Sequence, residues 1–293
     1  MRISTPYQYG TYSSDVARAQ ERYIGLQRQV SSGKRINSLS DDPLGMANVL
    51  SLRHLQDGLA QYEKNLTAAK GQLGLAEASM GEAHTLLRRS YELAVSGANG
   101  ATDPKARLAM VSELNEIQKR LVDLGNTQGA NGQYLFGGQI TDQKPFTVET
   151  TGLVYNGDDF DRSVEAAPGE ILVASVPARQ VITEAYAAIE SLKSHLQGDH
   201  NAISGVDIPA LQASLDSING LRGVIGARLG SVDQWMNDHA RRRDELSASI
   251  SDIEEVDITE AIVQYQMAET AYTAALQVAS QGFRLSLMDF IQG

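Results

Sequence analysis

The chain contains no cysteine, which excludes disulfides and thiolate metal sites. This fits a protein that leaves the reducing cytosol, although many cytosolic chains share the trait. Aromatic residues are scarce at 6%, with a single tryptophan, which suits helices that pack along their length better than a large enclosed enzyme core. An excess of positive charge is also missing. The 25 Lys and Arg face 36 Asp and Glu, a formal net charge of −11, whereas nucleic-acid binding needs a basic face. No run of about 18 apolar residues occurs, so no membrane-spanning helix is expected. The opening MRISTPYQYGTYSSD lacks the apolar stretch of a cleaved secretory signal, so an exported chain would leave by another route.

What is present is a seven-residue periodicity. Tyr9, Tyr12, Val16, Ala19, Tyr23, Leu26 and Val30 recur at spacings of three and four. After a polar, turn-rich joint at residues 29–48 the same rhythm resumes with Leu52, Leu55, Leu59, Tyr62, Leu66, Ala69, Leu73, Ala76, Met80, Ala83 and Leu87. Each series puts one apolar stripe along a helix and calls for a partner helix. Asp42 followed by Pro43 offers an acidic N-cap and a proline at the first helical position, where its missing N–H costs nothing. The helix that starts there should reach the break at residues 96–100, a length of roughly 80 Å at 1.5 Å per residue. Asp103 and Pro104 repeat this start, and the next helix carries Val111, Leu114, Ile117, Leu121 and Leu124 up to Gly125.

The character changes over residues 129–176. Short β-favouring runs, Tyr134-Leu135-Phe136, Phe146-Thr147-Val148, Leu153-Val154-Tyr155 and Ile171-Leu172-Val173, are separated by glycine, proline and Asn-Gly turns. They predict a small module of about four strands. Helical spacing returns with Ile182, Tyr186, Ile189 and Leu196, then with a long series from Leu211 to Ile253 that is interrupted at His239 and Arg243. Gly220, Gly223, Gly226 and Gly230 stand inside this series, each costing about 1 kcal/mol against alanine. Either close backbone packing against a neighbour or a break near Asn219 would account for them. Asp257 with Glu260 follows capping-box logic and opens a last helix carrying Ile258, Ile262, Tyr265, Tyr272, Leu276, Ala279, Phe283, Leu287 and Phe290.

The expected fold is therefore mainly α with a small β insert, a long antiparallel, coiled-coil-like helical rod. Residues 1–42 and 254–293 form terminal assembly helices, 43–128 and 180–253 the helical rod, and 129–179 the β module. The apolar positions assigned to assembly are Tyr9, Val16, Tyr23, Leu26, Val30, Ile262, Tyr265, Tyr272, Leu276, Phe283, Leu287 and Phe290, and the helix caps are Asp42, Asp103 and Asp257.

No constellation of catalytic residues stands out. His54, His84, His195, His200 and His239 are scattered without ligand spacing, no G-x-S-x-G elbow occurs, and Gly137-Gly138 lacks a nucleotide-binding pattern. The run Asn156-Gly157-Asp158-Asp159-Phe160-Asp161 lacks the alternate spacing and closing glutamate of a calcium loop and reads as a hairpin turn. Arg241-Arg242-Arg243 fans around a helix as a solvated face. No catalytic residue, cofactor or metal is assigned.

The joint VSSGKRINSLSDDPLGMAN resembles the N-terminal hallmark of the bacterial flagellin superfamily, shared by flagellins and the hook–filament junction proteins (hook-associated protein type three). Arg2-Ile3-Ser4-Thr5, the Gly132-Gln133-Tyr134-Leu135-Phe136-Gly137-Gly138 segment with Tyr155-Asn156-Gly157-Asp158, and the closing Leu285-Ser286-Leu287-Met288-Asp289-Phe290 resemble the junction branch. The β insert is short for that family. The resemblance implies a non-enzymatic structural protein, secreted without a cleaved signal through the flagellar export apparatus. It implies an extracellular ring of copies between hook-associated protein type one and flagellin, an export chaperone, and neither nucleic-acid nor membrane partners. A flagellin proper, or a secreted protein with an activity in the β module, are the competing readings.

Overall fold

The computed structural model describes the backbone of residues 5–99, 103–150, 152–199 and 201–292, and the side chains of those lying between 10 and 282. Among the described residues six α-helices account for most of the length: α1 Thr5–Ser32, α2 Pro43–Gly97, α3 Pro104–Gly125, α4 Arg179–Gln197, α5 Ile208–Glu254 and α6 Ile258–Gln292. A π-helical turn, Ile203–Asp207, leads into α5. The strands are β1 Phe146–Glu149, β2 Gly152–Tyr155, β3 Ser163–Ala167 and β4 Glu170–Val173, which pair antiparallel as two separate hairpins, β1 with β2 and β3 with β4. This is the expected mainly α chain with a small β insert.

The chain forms two compact units. One comprises residues 1–58 and 242–293, the other residues 59–241.

In the second unit the heptad rhythm of α2 becomes a core. Leu66, Leu73, Met80 and Leu87, seven apart, are fully buried, with Ala69, Ala76 and Ala83 between them. The same cluster takes Val111, Leu114, Ile117 and Leu121 from α3, Ile182, Ala185, Ile189 and Leu192 from α4, and Leu211, Ile218, Ile225 and Val232 from α5. Small residues between large ones let the helices approach closely while the leucines fill the space.

The first hairpin is tied to the end of α3 by Asn126. Its side chain donates to the carbonyl of Phe146 at 2.8 Å and accepts from the same residue's N–H at 2.9 Å. The Phe146 ring lies against Gly125, where a Cβ would come within 2.8 Å of it. Two strand expectations need correction. Tyr134-Leu135-Phe136 is not a strand but an anchor. Leu135 and Phe136 are buried, and the backbone N–H groups of Tyr134 and Leu135 go to Thr141 and Thr127. Its apolar character reflects burial rather than a pleat. The strand at Ser163–Ala167 lies outside the predicted runs, since Val164 is its one β-branched residue. It forms because β4 turns back through Gly169, whose φ of +77° suits glycine.

The glycines of α5 resolve both alternatives raised for them. The helix is unbroken from Ile208 to Glu254. Gly220, Gly223, Gly226 and Gly230 are exposed and, the helix's own backbone apart, no described residue comes within 4 Å of where a Cβ would stand.

Candidate assembly interface

In the first unit α1 and α6 run side by side. Tyr23 stacks on Tyr265 and Tyr272, with ring centroids 5.3 and 5.7 Å apart, and the hydroxyls of Tyr23 and Tyr265 lie 3.0 Å from each other. Toward the other end of the pair, Tyr12 covers Gly282, where a Cβ would meet its ring at 2.7 Å. These contacts make the pair antiparallel. The shared hydrogen bond with Tyr23, with burial adding to it, pushes the Tyr265 phenol up to about 12, so that ring stays protonated under ordinary conditions.

On α1 the expected stripe is the covered face. Leu26 is buried, and Tyr12, Val16, Ala19, Tyr23 and Val30 are half-buried while most of their neighbours are exposed. On α6 the arrangement differs. The face turned to α1 is Ala261, Tyr265, Ala268, Tyr272, Ala275, Ala279 and Gly282, at alternating spacings of four and three, with Ala261, Ala268 and Ala279 buried. Two residues expected in the stripe, Ile262 and Leu276, lie beside this face and remain 40% and 42% exposed. A further apolar row, Val263, Met267 and Val278, was not anticipated and is more than half exposed. The signal was present in the spacing of the small residues, but alanine carries little hydrophobic weight and the large aliphatics drew the reading. The side chains of Tyr9, Phe283, Leu287 and Phe290 lie outside the described residues.

The polar joint between α1 and α2 is fastened, within the same unit, to the joint between α5 and α6. The Glu254 carbonyl accepts from the Arg35 N–H at 2.7 Å, and the Val256 N–H donates to Gly33 at 3.1 Å. The Glu254 carboxylate, 7% exposed, takes Lys34 Nζ at 2.9 Å and Arg53 Nη2 at 2.6 Å, while Arg35 reaches the Ile253 carbonyl at 2.8 Å. Burial alone would push the Glu254 carboxyl up, but Lys34 and Arg53 outweigh it and hold the group below its usual range. The joint itself is closed by Asp41, which accepts from the N–H groups of Asn37 and Ser38 at 3.0 and 2.8 Å, bonds that hold its carboxyl low.

Two of the three caps form. Asp42 accepts from the Gly45 N–H at 2.8 Å, and Asp257 from those of Thr259 and Glu260 at 2.8 and 3.2 Å. Glu260 accepts from Gln264 instead of closing a capping box. Asp103 occupies the N-cap position of α3 without a side-chain cap bond, and Pro104 starts that helix by its fixed φ alone.

Serine, histidine and aspartate do converge at one place. Fully buried Asp207 accepts from Ser191 Oγ at 2.6 Å and pairs with His195 Nδ1 at 2.8 Å. Ser191 Oγ also lies 3.5 Å from His195 Nδ1, but that nitrogen faces the Asp207 carboxylate, and the hydroxyl's short bond goes to the same carboxylate and not to a base that would activate it. The trio secures the end of α4 to the turn before α5. Among the described residues no group of three His, Asp or Glu is placed to hold a metal, and no helix is long and apolar enough to cross a membrane.

Comparison with known proteins agrees with this architecture. The family model for the bacterial flagellin N-terminal helical region matches residues 3–141. Flagellar hook-associated protein 3 of Salmonella typhimurium is 24% identical over 314 residues, 98% of each chain. Flagellin FlaB2 of Treponema pallidum is 25% identical over 257 residues, 86% of this chain and 87% of its own. A solved flagellar hook-associated protein structure from Vibrio parahaemolyticus shares the fold, with a TM-score of 0.67 and 23% identity, covering 73% of this chain and 100% of that one. Over nearly its full length the chain is similar to flagellar hook-associated protein 3, and its residues 3–141 match the N-terminal helical region of bacterial flagellins.

Proposed function

We propose that this protein is a structural component of the bacterial flagellum, an extracellular adaptor at the hook–filament junction. In this reading, copies form a ring by packing their terminal helices, with hook-associated protein type one on the hook side and flagellin on the filament side. An export chaperone would escort the chain to the flagellar export apparatus. Segments 1–42 and 254–293 are the assembly ends, 43–128 and 180–253 the helical body, and 129–179 an outer β module without catalytic work. The observation that carries the reading is α6, which packs alanines and tyrosines on α1 and leaves Val263, Met267 and Val278 exposed on another face. A helix apolar on more than one side is suited to burial among several neighbours.

Coverage of 98% against hook-associated protein 3, compared with 86% against the flagellin, favours the junction role over a filament subunit. Immunogold labelling of isolated flagella tests this. A single band at the hook–filament boundary is expected, whereas label along the filament would establish the flagellin reading. Truncation at Gln281 should abolish incorporation, and normal incorporation would overturn the role given to the terminal helices.

A further inference from the structure

Along the α5 positions spaced seven apart from Leu211 to Leu246, His239 is the one that is not apolar. Leu211, Ile218, Ile225, Val232 and Leu246, each buried, occupy the equivalent positions seven residues apart. His239 is as buried as they are, at 3% exposure. Its ring lies between Tyr62 of α2 and Trp235 of α5, at centroid distances of 6.1 and 5.9 Å. Among the described residues neither Nδ1 nor Nε2 has a hydrogen-bond partner. A neutral imidazole can stay in such a site as a flat, mostly apolar ring. An imidazolium cannot, because two N–H donors and a full charge would be left without water or acceptor.

We propose that His239 is a proton-sensitive core residue that opens the α2–α5 pairing at this end of the second unit under mild acid. Protonation makes the buried position untenable, and the ring must leave the core to be solvated. The charged groups around it set the direction of escape. On α2, Glu63 follows Tyr62 and favours the charged ring. On α5, Asp238 does the same but is already paired with Arg241. Burial outweighs the two carboxylates and holds the imidazole below its ordinary value of about 6.5. The sign follows. Folding favours the neutral ring, so the pairing is fully stable above the unfolded-state value. It weakens as pH falls from there toward the folded-state value, by roughly tenfold in the opening equilibrium for each unit separating the two.

Hydrogen exchange on the full chain, corrected for the intrinsic pH dependence of exchange, tests this between about pH 7.5 and pH 5. Amides of residues 59–66 and 232–239 should gain exchange in acid in the wild type, and His239→Leu should abolish the gain. The proposal is overturned if the wild type shows no gain there, or if His239→Leu shows an equal one. Should His239→Leu not fold, His239→Gln is read by the same criterion. If neither folds, Trp235, the chain's one tryptophan, reports on the wild type directly. A fluorescence midpoint below about 6.5 supports the proposal, and one at or above it refutes it.

Discussion

Arg53 grips both carboxylate oxygens of Glu254, at 2.9 and 2.6 Å, across 201 positions of sequence. With Lys34 on the same carboxylate, this ion cluster makes the α1–α2 connection and the α5–α6 connection one fastening. The joint that the sequence presents as a polar spacer is thus an ordered knot, and α1 and α6 leave it as a pair.

Glu254→Gln should cost about 2 kcal/mol, at the level of a hydrogen bond to a charged group. The value is below that for breaking a fully buried pair because Lys34 and Arg53 are each 42% exposed and can rehydrate. The folded-state carboxyl titrates below its ordinary value of 4.5, so its contribution is complete above that value and is lost as pH falls through the depressed one. Urea melts across this range should show the wild type converging on Glu254→Gln in acid. A difference that stays constant with pH would refute the role of the charge.

Asp257→Ala should weaken the start of α6 by about 1 kcal/mol, since two backbone N–H groups lose their acceptor. Asp103→Ala should change the start of α3 far less, because no cap bond is there to lose. Thermal melts of the two variants side by side check the contrast, and equal losses would contradict it.

Met267 is 60% exposed, so Met267→Asp should leave the isolated chain within about 0.5 kcal/mol of wild type. Assembly should nonetheless fail, because the substitution places a charge on the outward row of α6. Ala268, one residue on, is buried against α1, and Ala268→Leu should cost about 1–3 kcal/mol by overpacking. Melting curves of the purified chains combined with electron microscopy of flagella separate the two. Normal junctions with Met267→Asp would remove that face from the interface.

Leu73→Ala should cost about 3–5 kcal/mol, since Leu73 is fully buried in the second unit's core and its removal leaves a cavity. Denaturant unfolding followed by circular dichroism measures it, and a loss under about 1 kcal/mol would disprove the assigned core stripe.

Gly223→Ala and Gly226→Ala should each stabilise α5 by about 1 kcal/mol, because both sit in a helix interior with open space where the methyl group goes. A raised melting temperature is the expected result, and a lowered one would mean that the space is filled in solution.

Much of this architecture was legible because it is repetitive and local. Seven-residue spacing, an aspartate before a proline, and Asn-Gly turns act on the few residues around them, so α2 and the start of α6 could be read directly. The short β segments were harder. Tyr134-Leu135-Phe136 and Ile171-Leu172-Val173 are both apolar runs, but the first makes a single isolated bridge, from Tyr134 to Gln128, whereas the second pairs along β3.

The sequence by itself determined that the ends are heptad helices in need of a partner, that the middle holds a small β module, and that cysteine chemistry is excluded. Tertiary structure decided which side of α6 the partner takes. Close antiparallel approach to α1 selects alanine and glycine at the contact and leaves the larger Ile262, Met267 and Leu276 uncovered. It also decided that Glu254 is a knot and that His239 is a buried ring with no hydrogen-bond partner among the described residues. Both properties depend on residues far away along the chain, and no local pattern encodes a contact that exists only once the helices have come together.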